Sequence, residues 1–211
     1  MSGSHPSTWQ TARRHLEADP VLRDIMAAVG PCKLKPRRDH FVVLCKSIYS
    51  QQISTTVAAV LFGRFRERFA NKRPTPAGVV KLLTTGSEAE LKPCGLSRQK
   101  KIYLLDLAQH FLDGRIPTRR LSRMSDEEII ESLTAVKGIG RWTAEMFLMF
   151  VMNRPDVLPV DDLGLQTAVM QAYKLSARPK KAELTALGEK WRPYRSVATW
   201  YLWKAIEESD W

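Results

Sequence analysis

Cysteine is scarce in this 211-residue chain, which has three: Cys32, Cys45 and Cys94. An odd number so widely separated excludes a closed disulfide framework and supplies neither a zinc nor an iron–sulfur ligand set, leaving reduced structural thiols. Long apolar runs are missing too; none approaches the roughly 20 residues that span a bilayer. The opening stretch, MSGSHPSTWQTARRHLEADP, has neither the apolar block of a secretory signal nor an organelle-targeting pattern, so a cytoplasmic location and no membrane partner are expected. No segment alternates apolar and polar residues between turn signals, which argues against a sheet. Repeat arrays and low-complexity tracts are also absent, although Cys94-Gly-Leu-Ser-Arg-Gln-Lys echoes the Gly138-Ile-Gly-Arg turn. Acidic residues are in short supply: 22 Asp and Glu stand against 33 Lys and Arg, a net charge of +11 that favours encounter with polyanions, nucleic acid before membrane. The basic residues are scattered, at Lys33/Lys35/Arg37/Arg38, Lys100/Lys101, Arg119/Arg120 and Lys180/Lys181, so they do not form a basic tail.

What is present is helix after helix. With 44% hydrophobic residues the chain can bury a substantial core, as one domain over 1–211 or two packed lobes, and the fold class is all-α. Periodicity and caps predict helices over Thr8–Glu17 and Pro20–Val29, and two helices between Phe41 and Phe69 joined by a polar elbow at 50–53. A short helix follows over Pro74–Leu83. A stronger one over Ser97–Leu112 is expected to place Ile102, Leu105, Ala108 and Phe111 or Leu112 on one side. Ser125-Asp-Glu-Glu has the form of a capping box opening a helix to about Val136. The next helix, Arg141–Met152, is apolar almost all round and so is expected to be central and buried. Asp161 or Asp162 can cap the helix that follows, and Pro179–Trp191 and Ser196–Glu207 complete the set.

Two features carry chemistry. Leu133-Thr-Ala-Val-Lys-Gly-Ile-Gly-Arg-Trp-Thr-Ala joins two helices through a tight turn in which Gly138 and Gly140 can adopt positive φ. Backbone N–H groups at the start of the 141 helix, with Lys137, Arg141 and Thr143, could grip a phosphate without reading sequence. An ordinary glycine-capped turn is the alternative. The Asp161–Asp162 pair follows, for which a helix N-cap is the plain role.

The hairpin, then Leu158-Pro-Val-Asp-Asp-Leu-Gly-Leu-Gln, then Trp191-Arg-Pro-Tyr-Arg-Ser, in that order, resemble the helix-hairpin-helix DNA glycosylase superfamily. Within it they resemble the bacterial 3-methyladenine DNA glycosylase II (AlkA) branch without its N-terminal sheet domain. The resemblance runs over roughly 38–207, with the hairpin motif at 133–150. It implies two helical lobes with a cleft between them, one over roughly 38–120, the other over 121–211 with the N-terminal segment. It implies a monomer acting on double-stranded DNA with damaged bases, nucleoid-associated if the source is bacterial.

The resemblance makes Asp162 the catalytic carboxylate. Breaking an N-glycosidic bond builds positive charge on the deoxyribose, which a fixed carboxylate stabilises, and an alkylated purine already carrying positive charge leaves without a dedicated general acid. Trp142 stands where bifunctional relatives carry the Schiff-base lysine; an indole cannot form one, so base excision without strand cleavage is expected. Gln52, or its neighbour Gln51, matches the wedge that fills the space of a flipped base, although a polar wedge departs from the AlkA pattern; the alternative is a pair that braces the helix junction. Trp203 matches the family's base-stacking tryptophan, and Trp142, Trp200, Tyr201 and Tyr49 are further candidates for an aromatic base pocket, with core packing as their alternative. No cofactor and no iron–sulfur cluster are required. A structural Na+ or K+ on the backbone carbonyls of Thr134, Val136 and Ile139 is implied by the resemblance alone. Three functions stand side by side: excision of alkylated purines such as 3-methyladenine and 7-methylguanine, excision of a deaminated or oxidised base, and non-catalytic binding to damaged DNA.

Overall fold

Asp19 opens the second helix by accepting from the N–H groups of Val21 and Leu22 at 3.0 and 3.4 Å, and Gly30 closes it with φ +83°. Caps of this kind punctuate the whole chain in a computed structural model that describes residues 6–207; residues 1–5 and 208–211, included above in the domain, lie outside the described residues. The helices are α1 (Pro6–Leu16), α2 (Pro20–Val29), α3 (His40–Ser50), α4 (Thr55–Arg66), α5 (Pro76–Thr85), α6 (Glu88–Leu91), α7 (Arg98–Leu112), α8 (Asp126–Thr134), α9 (Arg141–Phe150), α10 (Leu163–Ala172), α11 (Lys181–Glu189) and α12 (Arg195–Glu207). No strand occurs among the described residues, so the all-α expectation holds. No helix among them is long and apolar enough to cross a membrane.

The chain divides into two units, Arg38–Phe147 and a second built from both sides of it, 1–37 with 148–211. The boundary after Phe147 differs from the one near 120 that the sequence suggested. Residues beyond 120 are bonded to those before it: Ser132 Oγ donates to the Arg115 carbonyl at 2.8 Å, and Asp106 Oδ2 accepts from the Lys137 N–H at 2.8 Å.

In the 38–147 unit, α3 buries Phe41, Leu44, Cys45, Ile48 and Tyr49, the i, i+3, i+4, i+7, i+8 stripe of an amphipathic helix. It packs against α4 and α7. Tyr49 lies 5.3 Å from Phe62 and 5.2 Å from Phe65 between ring centroids. On α7 the buried residues are Leu104, Leu107, Ala108 and His110, whereas Ile102 and Leu112 are exposed. Of the residues expected on one side of α7, Ala108 is thus buried while Ile102 and Leu112 face solvent, because α7 packs against both α3 and α5 and turns Leu104 and Leu107 inward. The four-residue α6, opened by the Ser87/Glu90 capping box, carries too short a period to be visible in the sequence.

In the other unit α12 is central, touching α1, α2 and α10, and Val197 to Leu202 are all buried. Trp191, fully enclosed, shares that core with Leu22, Met26, Leu165 and Val169; burying one such large apolar side chain contributes about 1.5–3 kcal/mol. Asp19 ties the helices together, with Oδ2 accepting from Tyr173 Oη at 2.5 Å, Lys190 Nζ at 2.8 Å and Trp191 Nε1 at 3.4 Å. The loop from α9 to α10 is pinned to the start of α12. Arg195 Nε donates to Asp156 Oδ1 at 2.7 Å, and Ser196 Oγ accepts from Val157 N–H at 2.9 Å. The Trp191–Ser196 motif thus sets the approach to Asp162.

Candidate functional site

The hairpin turn belongs to the 38–147 unit. A capping box between Ser125 and Glu128 starts α8, which stops at Thr134, two residues short of the expected end. Gly138 turns the chain with φ +83°, and a Cβ there would overlap the Tyr103 ring, so conformation and close approach both require glycine. Gln51 Nε2 donates to the Gly138 carbonyl at 2.7 Å. Gly140 differs from the expectation: its φ is not positive, and a Cβ would meet nothing within 4 Å. The first turn of α9, which follows it, holds no acidic residue. Amide groups at such a helix start favour an anion.

The charges around this turn are not equivalent. Lys137 is exposed, while Arg141 is committed: its guanidinium forks onto Glu127 at 2.6 and 3.1 Å and reaches Glu145 at 3.1 Å. Hydrogen bonding to Glu127 raises the Arg141 pKa. Arg141 therefore braces α8 against α9. Thr143 is half-buried on the first turn of α9.

At the elbow, α3 ends at Ser50 and Ser54 caps α4 by accepting from the Val57 N–H at 3.4 Å. Between them the two glutamines divide their roles. Gln51 is half-buried and bonded to the hairpin, whereas Gln52 is exposed and adopts φ +61°. A left-handed conformation costs a non-glycine residue about 1–2 kcal/mol. Lys100 Nζ donates to the Tyr49 carbonyl at 2.7 Å and satisfies one of the open carbonyls at the end of α3; burial lowers its pKa.

Asp162 belongs to the other unit and is the N-cap of α10. Its Oδ1 accepts from the Leu165 N–H at 2.5 Å and from Trp203 Nε1 at 3.0 Å. Asp161 instead pairs with Lys181, which separates the two aspartates cleanly. Gln166 Nε2 braces the turn from behind by donating to the Val160 carbonyl at 2.9 Å. Trp203 stacks on Phe150, with centroids 5.7 Å apart and planes at 18°.

Three of the aromatic candidates are core residues. Tyr49 is 0% exposed and Tyr201 1%, with its hydroxyl donating to the Gly30 carbonyl at 2.9 Å; Trp200, 7% exposed, makes an edge contact with Tyr201. Their faces are spent on packing, which corrects their assignment to a base pocket. Trp142, by contrast, is 49% exposed at the start of α9, and Trp203 is half-buried beside Asp162.

Of the three carbonyls that the resemblance implies for a monovalent cation, those of Thr134, Val136 and Ile139, that of Val136 accepts from the Ile139 N–H at 3.1 Å and keeps a second lone pair. Among the described residues no group of three His, Cys, Asp or Glu is placed to hold a metal.

An all-helical fold, a glycine-turned hairpin and, later in the chain, an aspartate-capped helix are the features to set beside known proteins. Residues 45–193 match the family described as HhH-GPD superfamily base excision DNA repair protein, and the chain belongs to that superfamily. It is 32% identical to the alkylbase DNA glycosidase-like protein mag2 of Schizosaccharomyces pombe, over 95% of each chain. It is 35% identical to DNA-3-methyladenine glycosylase 1 of the same yeast, over 85% of this chain and 78% of the relative. Among solved structures it is similar to the S. pombe 3-methyladenine DNA glycosylase Mag1 in complex with abasic DNA, with TM-score 0.82, 33% identity and coverage of 95% and 98% of the two chains.

Proposed function

We propose that the chain is a monofunctional DNA glycosylase that hydrolyses the N-glycosidic bond of alkylated purines of the 3-methyladenine and 7-methylguanine type, acting as a monomer on double-stranded DNA. The observation that carries the reading is Asp162, a carboxylate fixed by two N–H donors at a helix start, in a chain whose relatives are named for 3-methyladenine and alkylbase excision.

The hairpin grips the backbone: amides at the start of α9 and the ammonium of Lys137 meet phosphate, and that contact ignores base sequence. The target nucleotide leaves the stack, and the outward Gln52 side chain takes its place. Trp203, beside Asp162, offers aromatic surface to a cationic purine, an attraction of about 1–2 kcal/mol when partly desolvated. As the bond to the sugar stretches, Asp162 stabilises the oxocarbenium charge, directs a water to the sugar carbon and accepts the proton that the water loses as its C–O bond forms; the purine departs with the bonding electrons, which neutralise its own charge. No cofactor is needed. A Na+ or K+ on the Thr134, Val136 and Ile139 carbonyls, when bound, supplies positive charge that supports phosphate binding. Trp142 has no amine, so no Schiff base forms and the strand stays intact.

The test is to incubate the protein with duplexes carrying 3-methyladenine, 7-methylguanine, 1-methyladenine, uracil or 8-oxoguanine and to measure abasic sites, with borohydride present to trap any imine. Release of the methylated purines without a trapped adduct is expected. Release of uracil or 8-oxoguanine alone, or a trapped adduct, overturns the assignment.

A further inference from the structure

Trp203 has two separate contacts, and they divide the ring. Phe150 covers one face at 5.7 Å, while the edge bearing Nε1 points at Asp162 Oδ1, 3.0 Å away and 41 residues earlier in the chain. Oδ1 therefore receives two donors from different helices, the Leu165 N–H of α10 and the indole of α12. A helix cap alone leaves a carboxylate free to pivot about its single anchoring bond. A second donor from another element fixes the plane, and with it the direction in which the rest of the carboxylate faces.

Gly164 supplies an independent sign that this bond is built for. A Cβ on Gly164 would stand 3.0 Å from Asp162 Oδ1 and 3.4 Å from Trp203 Nε1. Its φ is not left-handed, so the backbone does not demand glycine there. Glycine on a helix is a loss of about 1 kcal/mol relative to alanine; what the helix gains for it is room for the hydrogen bond.

We infer that Trp203 is a positioning residue, whose indole N–H orients the Asp162 carboxylate, and that Gly164 keeps the space in which it does so. The inference rests on Asp162 being the catalytic carboxylate, and it assigns Trp203 a task other than stacking on the base. A residue that only stacks needs its ring; a residue that orients Asp162 needs its N–H. The two tasks separate chemically.

The experiment replaces Trp203 site-specifically with benzothienylalanine, which keeps the shape and ring face and exchanges the N–H for sulfur. Single-turnover excision of 3-methyladenine and 7-methylguanine is measured together with binding to a duplex holding a stable abasic-site analogue. Excision is expected to fall tenfold or more, by the same factor for both bases, with analogue binding unchanged within twofold. Gly164→Ala is expected to reproduce that pattern, and the double variant to lose no more than the stronger single one. Wild-type excision by the benzothienylalanine protein, or a loss that differs between the two bases, overturns the inference in favour of stacking. Thermal melting of each variant controls for folding, and if Gly164→Ala unfolds, the isosteric replacement decides alone. Asp162→Asn is run in parallel: full activity there sinks the catalytic role of Asp162 on which the inference rests, whereas an inactive Asp162→Asn beside an active benzothienylalanine protein sinks only the positioning role.

Discussion

Gln51 donates its side-chain amide to the carbonyl of Gly138 at 2.7 Å, across 87 residues of sequence. The bond joins the elbow between α3 and α4 to the hairpin turn. It thus ties the residue next to the strained Gln52 to the glycine that shapes the proposed phosphate grip. Replacing Gln51 with Leu removes the donor and leaves a half-buried carbonyl without its partner, at about 1–2 kcal/mol. Denaturant unfolding is expected to report that loss, and fluorescence anisotropy a several-fold weaker hold on undamaged duplex.

Gln52 invites the opposite experiment. Its φ of +61° is congenial to glycine, so Gln52→Gly relieves strain and is expected to leave the protein as stable as before or slightly more so. Excision, in contrast, is expected to slow at least tenfold, because nothing then occupies the space of the flipped nucleotide. A stable variant with undiminished excision removes Gln52 from the wedge role.

The two basic residues of the hairpin are expected to behave differently. Lys137→Ala weakens binding across all sequences and lowers the slope of log affinity against log salt by about one. Arg141→Ala, which breaks an exposed pair with Glu127 and takes one partner from the buried Glu145, lowers stability by about 1–3 kcal/mol and lowers affinity less than Lys137→Ala. Titrations from 50 to 300 mM salt, on the order of the range where counterion release is resolved, distinguish them.

Asp19 predicts a pH dependence of stability. Burial works against its charge, but Lys190, Tyr173 and Trp191 together outweigh that and hold its pKa below the ordinary 3.8. The carboxylate thus stabilises the fold fully above its unfolded value, and that contribution is lost as pH falls through the lower folded value. Urea unfolding of wild type and Asp19→Asn is expected to show a gap that is constant from pH 7 to about 5 and closes below about 4. A gap that widens on acidification contradicts the assignment.

Much of this was legible before any coordinates. Hairpin, carboxylate and helix order lie in contiguous stretches, where glycine, capping residues and apolar spacing act locally. What stayed hidden depends on pairs distant in sequence. Nothing in the sequence says that Arg141 would find Glu127, that Asp106 would hold the Lys137 amide, or that Trp203 would face Asp162, because each bond joins segments that meet only in the folded chain. The pocket candidates Tyr49, Trp200 and Tyr201 failed for a related reason. An aromatic at helical spacing looks the same whether its helix is central or lines a surface, and α12 proved central to its unit. The choice between Gln51 and Gln52 needed the backbone, since only φ and the bond to Gly138 separate them.

The most direct measurement is single-turnover release of 3-methyladenine and 7-methylguanine from duplex DNA by wild type and by Asp162→Asn, with binding to an abasic-site analogue as the control. The carboxamide keeps the size of the cap and loses the charge. The account predicts a fall in rate of about a hundredfold or more, on the order of the 3 kcal/mol that a fixed electrostatic partner contributes to such a transition state, with analogue binding retained. Equal rates for the two proteins would contradict it.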